Sequence, residues 1–382
     1  MRNSIWASLI ISTLIAGFIY VNFDEDSFMT TMYSSGFIGE KAEITEAEFE
    51  EAFTDFLAKY KKSYYNSYEF ENRFMVFRDN FQKISDHNLN SEFIGFTLAV
   101  NEFADLSSEE FKEKYLGLNA PTTHHRGGHK AKYRGMKANK RPSFESLFEE
   151  KEVAEDFENF SWVDQGKVQK VKNQGSCGSC WAFSAIGSVE SAFAISHDTG
   201  PADLSEQQLV DCSRSYDNQG CNGGWMDNAF EYAESHSLCT EQEYPYKARD
   251  DKCQLDNEDF TCTDGVHVTD FVDVEKNSKA ALKEAITKNP VSVAVDASGL
   301  AWQFYFGGIV RFMCGNQLDH GVLAVGYGHG GSKVLGTTDF WTIKNSWGPG
   351  WGEKGFIRIK ADENSKGGTC GILKAASYPV VA

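Results

Sequence analysis

Cysteine is missing from the first 170 residues of this 382-residue chain; all nine cysteines stand in the remainder. A disulfide framework therefore belongs to the C-terminal part, and an odd count leaves one thiol over once four bridges form. Positive charge is short, with 37 Lys and Arg against 55 Asp and Glu and a net charge of −18. That balance excludes a nucleic-acid partner, because a phosphate backbone needs a basic face. Long apolar runs are missing except one, Ile5–Val21, which sits between Arg2 and acidic Asp24, Glu25 and Asp26. This is the layout of a secretory signal or signal anchor over residues 1–21, although Ile15-Ala16-Gly17 is a poor cleavage site. No other segment reaches membrane-spanning length.

Between about 45 and 116 the chain reads as a helical unit. Thr45 with Glu48 makes a capping box, and Phe49, Phe53, Phe56, Leu57 and Tyr60 follow at helical spacing. A second stripe is Phe70, Phe74, Phe77, Phe81 and Ile84, with Glu69 and Arg73 four apart for an ion pair on the same helix. Periodicity stops after Leu116. From Gly117 to about residue 155 a basic stretch rich in histidine gives way to an acidic one, which predicts an exposed linker open to proteolysis. Charging of His124, His125 and His129 on acidification is a secondary expectation there.

The chemistry concentrates in NQGSCGSCWAF at 173–183. No second Cys-x-x-Cys stands downstream to complete a zinc site, and a redox dithiol would not explain the odd cysteine. A nucleophile explains more. Ser179 stands at the start of a predicted helix from Cys180, and a thiol at a helix N-terminus is biased towards thiolate. Such a thiol needs an imidazole, and the ring needs a third group to orient it. Of nine histidines, His320 opens the alternating run HGVLAVGYG, a rigid strand start, while Asn345 follows a short apolar strand and precedes Trp347.

Residues Cys177–Trp181, CNGG at 221–224, LDHGV at 318–322, NSWGPGWG at 345–352 and CGI at 370–372 together resemble the papain-like cysteine proteases of the cathepsin L type. Glu69, Arg73, Phe77, Asn80, Ile84 and Asn88 resemble the interspersed motif of their inhibitory propeptides, and Asn101, Phe103 and Asp105 a second propeptide motif, with Ala99 where glycine is usual. The resemblance implies an α+β fold of two subdomains, a helical half and a β-barrel-like half, with the site between them and the propeptide through the cleft. The peptidase domain would cover 156–382, starting near Asp156.

Carried over, Cys180 is the nucleophile, His320 its partner and Asn345 the orienting group, with Trp347 as a shield. Gln174 and the Cys180 amide make an oxyanion hole. Gly223, Gly224, Trp225, Met226, Ala294, Leu318, Asp319, Ala375 and Trp347 are implied as substrate-binding, with a preference for hydrophobic or aromatic residues second before the scissile bond. Implied pairings are Cys177–Cys221, Cys212–Cys253 and Cys314–Cys370, which leaves Cys239 and Cys262 for a fourth. The resemblance also implies a monomeric endopeptidase without metal or cofactor, made as a precursor in the secretory pathway for a lysosome, a vacuole or export. Its partners would be protein and peptide substrates and its own propeptide.

Overall fold

The computed structural model describes residues 41–120, 157–263, 265–332, 334–364 and 367–382. The expected signal segment over 1–21, the linker histidines and Asp156 lie outside them. Among the described residues no helix is long and apolar enough to cross a membrane.

The N-terminal unit is an aromatic hairpin of α1 (Glu46–Tyr60) and α2 (Ser67–Leu89). Thr45 caps α1 with the reciprocal Glu48 bond. Phe53 is the hub, its ring 5.1 Å from Phe74 and from Phe77 and 5.4 Å from Phe70. Phe70 ends the stripe at the surface, 44% exposed. A short turn α3 (Ser91–Ile94), strand β1 (Phe96–Leu98) and helix α4 (Ser108–Tyr115) follow.

The predicted Glu69–Arg73 pair does not form. Glu69 accepts the amide of Tyr65, and Arg73 makes a two-pronged bond to Glu110 on α4 at 2.6 and 2.8 Å. A guanidinium fork matches a carboxylate better than a helix neighbour allows. Asn80 donates to the carbonyls of Ala104 and Leu106, and Asn88 exchanges two bonds with Leu98, while Phe77 and Ile84 are buried. Arg73, Asn80 and Asn88 of the motif thus hold the segment after α2 to that helix. Ala99 is not among the residues with positive φ, so its side chain costs no backbone strain there.

After β2 (Phe160–Ser161) come the helices of one half, α5 (Cys180–Ser196), α6 (Glu206–Cys212) and α7 (Met226–Ser235). The other half is a sheet, with helix α8 (Lys279–Lys288) packed on it and one turn, α9 (Leu300–Gln303). Its strands are β3 (Val268–Asp273), β4 (Val291–Val295), β5 (Tyr305–Val310), β6 (His320–Ser332), β7 (Gly336–Lys344), β8 (Phe356–Lys360) and β9 (Ala376–Val381). The order is β1-β5-β8-β7-β6-β4-β9-β3. The two ends do not pair, so the half expected as barrel-like is an open sheet. One end is β1, which adds antiparallel to β5.

Two apolar cores result. One is shared by α5, α6 and α7. The other runs without a break from the N-terminal hairpin into the sheet half, joining Phe77, Phe103 and Phe111 to Trp302, Trp347 and Val322. Four disulfides join Cys177 to Cys221, Cys212 to Cys253, Cys239 to Cys262 and Cys314 to Cys370, and Cys180 is free and buried.

Candidate active site

Helix α5 begins at Cys180, and Ser179 stands at its N-cap without a capping bond; its hydroxyl pairs with Tyr246 at 2.6 Å. The helix dipole and nearby amides favour a thiolate, with the N–H of Gly321 donating to Sγ at 3.4 Å. Burial outweighs them and pushes the thiol up to about 11. That Gly321 contact brings the start of β6 against the start of α5, which is where His320 stands.

His320 is fully buried. Its Nε2–H donates to Asn345 Oδ1 at 2.8 Å, which leaves Nδ1 as the ring's free lone pair, and Nδ1 has no hydrogen-bond partner. Asn345 follows β7 directly, next to the Leu323–Lys344 pair that starts the β6–β7 ladder, while His320 at the start of β6 pairs with Val295 of β4. The Trp347 ring lies 4.6 Å from the imidazole at 26°, and Trp302 meets its edge at 5.9 Å. Burial lowers the His320 pKa to about 4 against the opposing Asn345 bond. In this closed state thiol and imidazole therefore both favour their neutral forms.

Gln174 is fully buried. Its Oε1 accepts from the Ser346 hydroxyl at 2.6 Å, and its Nε2 donates to the carbonyls of Cys177 and Tyr115. Tyr115 belongs to the N-terminal unit, and the chain that follows enters the cleft. Gly117 passes over the loop before α5, where a Cβ would stand 2.0 Å from the Gly178 carbonyl, so only glycine fits. Leu118 then bridges both halves: its amide donates to Asp319 O, it pairs in parallel with Gly224, and Asn119 donates to Gly224 O. Gly117 and Leu118, expected in an exposed linker, are instead buried. Backbone pairing to a cleft edge leaves no helical or alternating trace in sequence.

Leu118 is in the same apolar cluster as Trp225, Met226 and Ala294, with Leu318 and Ala375 packed against it. Gly223 and Gly224 form the facing edge, and burial raises the Asp319 carboxyl to about 7. On the far side Phe103 and Phe111 meet the Trp347 ring edge-on at 5.6 and 5.2 Å. Trp302 and the 116–119 segment carried no local signal in the sequence, and Ser346 was marked only by its place in the NSWGPGWG motif. Among the described residues no cluster of side chains suits a metal ion.

Comparison with known proteins agrees with this picture. The family described as papain family cysteine protease matches residues 157–380, and the cathepsin propeptide inhibitor domain matches 53–111. Oryzain beta chain of Oryza sativa subsp. japonica is 41% identical over 88% of this chain and 67% of its own length. The cysteine protease XCP2 of Arabidopsis thaliana is 41% identical over 86% of this chain and 85% of its own. Among solved structures, a recombinant stem bromelain precursor superposes with a TM-score of 0.71 at 32% identity, over 87% of this chain and 98% of its own. Digestive procathepsin L 3 of Tenebrio molitor gives 0.68 at 35%, over the same shares. With an inhibitor domain continuous with the sheet half and its trailing strand over the buried thiol, the chain belongs to the papain family of cysteine proteases and carries a cathepsin-type inhibitor propeptide.

Proposed function

We propose that the mature protein is a cathepsin L-like endopeptidase in which Cys180 is the nucleophile and His320 its acid–base partner. The observation that carries this is the meeting of the Cys180 helix start with the β6 start at His320, under a strand that leaves from Tyr115. Removing that strand admits water and lets the proton pass from Sγ to Nδ1, giving a thiolate and an imidazolium. The thiolate attacks the scissile carbonyl carbon, and the oxyanion is held by Gln174 Nε2 and the Cys180 amide. The C–N bond breaks as imidazolium protonates the amine, leaving a thioester. Water then attacks it, gives its proton to His320, and releases the acid and the thiol. Asn345 keeps the ring in the useful tautomer, and Trp347 covers that bond.

A substrate adds as a strand beside Gly223 and Gly224. The apolar pocket of Trp225, Met226, Ala294, Leu318 and Ala375 selects a hydrophobic or aromatic second residue before the scissile bond, as the presence of Leu118 in the same cluster supports. Residues 45–116 act as the inhibitory propeptide, extended by 117–119. Four disulfides favour passage through the secretory pathway towards a lysosome, a vacuole or the exterior.

Acidifying the purified precursor tests the reading. It should shorten, gain peptidase activity and take up an epoxide thiol reagent at Cys180. Processed protein that the reagent does not label there refutes the assignment.

A further inference from the structure

The apolar pocket has a polar brace behind it. Trp225 precedes α7, and its amide donates to Asn218 Oδ1 at 2.8 Å. Its indole Nε1–H donates to Asp227 Oδ2 at 3.1 Å, and the other carboxylate oxygen accepts from Ser377 Oγ at 2.5 Å. Ser377 lies on β9, two residues beyond Ala375, whose carbonyl takes the amide of Ala294. One carboxylate therefore joins a large side chain of the helical half to the strand that carries the pocket floor.

From this bracing we infer that Asp227 is a positioning residue for substrate selection: it holds the Trp225 indole against β9 and so sets the width of the pocket. The inference rests on the pocket reading proposed above.

The site is a costly place for a carboxylate. Burial raises its pKa to about 6, and the nearest charges acting on it, Asp273 on β3 and Glu231 on α7, are acidic. Asp227 has no ion pair among the salt bridges of the described residues, so its two oxygens are held by the indole and hydroxyl donors. Without the carboxylate the indole keeps its place in the apolar cluster but loses the bond that orients it, and a ring free to tilt reshapes the pocket for bulky side chains more than for small ones.

The test uses acid-matured full-length variants, normalised by titration with an epoxide thiol reagent so that poorly folded protein does not count. Peptides differing only in Phe, Leu or Val second before the scissile bond are compared by kcat and KM. In Asp227→Ala the Phe-to-Val ratio of kcat/KM should shift by about three-fold or more, the scale of one lost hydrogen bond, through KM with kcat nearly constant. Asp227→Asn keeps an acceptor for the indole and should restore most of the ratio. Ser377→Ala removes only the second donor and should give a smaller shift of the same sign. In a Trp225→Phe background, Asp227→Ala should no longer move the ratio. An unchanged ratio in both Asp227→Ala and Ser377→Ala overturns the inference, as does a shift of equal size without the indole. A wild-type enzyme that does not discriminate among the three peptides refutes the pocket reading instead.

Discussion

The side-chain amide of Gln174 donates to the main-chain carbonyl of Tyr115 at 3.0 Å, so a propeptide carbonyl occupies the donor assigned to the oxyanion. The same amide is braced through Oε1 by Ser346, next in sequence to Asn345. On the proposed reading one residue serves inhibition in the precursor and catalysis in the product. In the mature enzyme Gln174→Ala should lower kcat about 10²–10³-fold with KM within a few-fold, because the oxyanion exists only beyond the ground state. Equal loss in KM, with kcat unchanged, would place Gln174 in ground-state binding. Steady-state kinetics on titrated enzyme separates the two.

Leu118 is 6% exposed and anchors the covering strand. Truncating a buried leucine removes about 2–3 kcal/mol, or roughly 30- to 150-fold in the ratio of closed to open precursor. Leu118→Ala precursor should accordingly process at a higher pH than wild type. Gel analysis of processing against pH checks this, and an unmoved midpoint would mean that backbone pairing to Gly224 alone holds the strand.

How much was legible from residues alone follows the range of the interactions. The helix stripes, the Thr45 cap, the strand start at His320 and the strand end before Asn345 are written in local spacing. The α+β family fold was legible through motif resemblance. Arg73 shows where local rules stop, since its helix neighbour Glu69 is in reach but Glu110, 37 residues away, offers the better fork. Gly117 and Leu118 read as linker because strand pairing to a distant loop has no period of its own. The Asp227 brace depends on a β9 hydroxyl 150 residues away, and no pattern within α7 announces it.

His87 carries a pH response that its sequence position hides. It is buried on α2, its Nε2–H donates to Phe96 O at 3.1 Å, and its ring lies 4.6 Å from that of Phe96 on β1. Burial lowers its pKa to about 4, against the Phe96 bond that raises it. The folded value lies below the unfolded one near 6.5, so the unfolded propeptide binds more protons in between. Stability is therefore full above about pH 6.5 and falls as pH drops towards 4, by about 3 kcal/mol at pH 4. Because β1 pairs with β5, loosening this corner loosens the propeptide's edge of the sheet. His87→Gln keeps a donor and cannot charge. Its precursor should need a lower pH to process, and identical profiles would dismiss the role.

Lys172 tests the buried ionic cluster behind the site. Its Nζ meets Glu190 at 3.1 Å, Glu206 at 2.9 Å and Asp203 at 2.9 Å, with both glutamate side chains almost wholly buried. A small cavity lined by Lys172, Glu206 and Lys344 continues beneath Asn345 and Ser346. Lys172→Met would leave two carboxylates buried without their cation, at a cost of about 3–5 kcal/mol where both are ionised. Burial already raises the Glu206 pKa, so removing the lysine raises it further and protonation becomes the relief. The native variant then binds more protons than the native wild type, whose Glu206 titrates at about 8, and the penalty should shrink as pH falls from about 9.5 to about 7.5. Denaturant unfolding of precursor and variant at both pH values measures it. A penalty that does not change with pH would mean that Lys344 neutralises the carboxylates once Lys172 is gone.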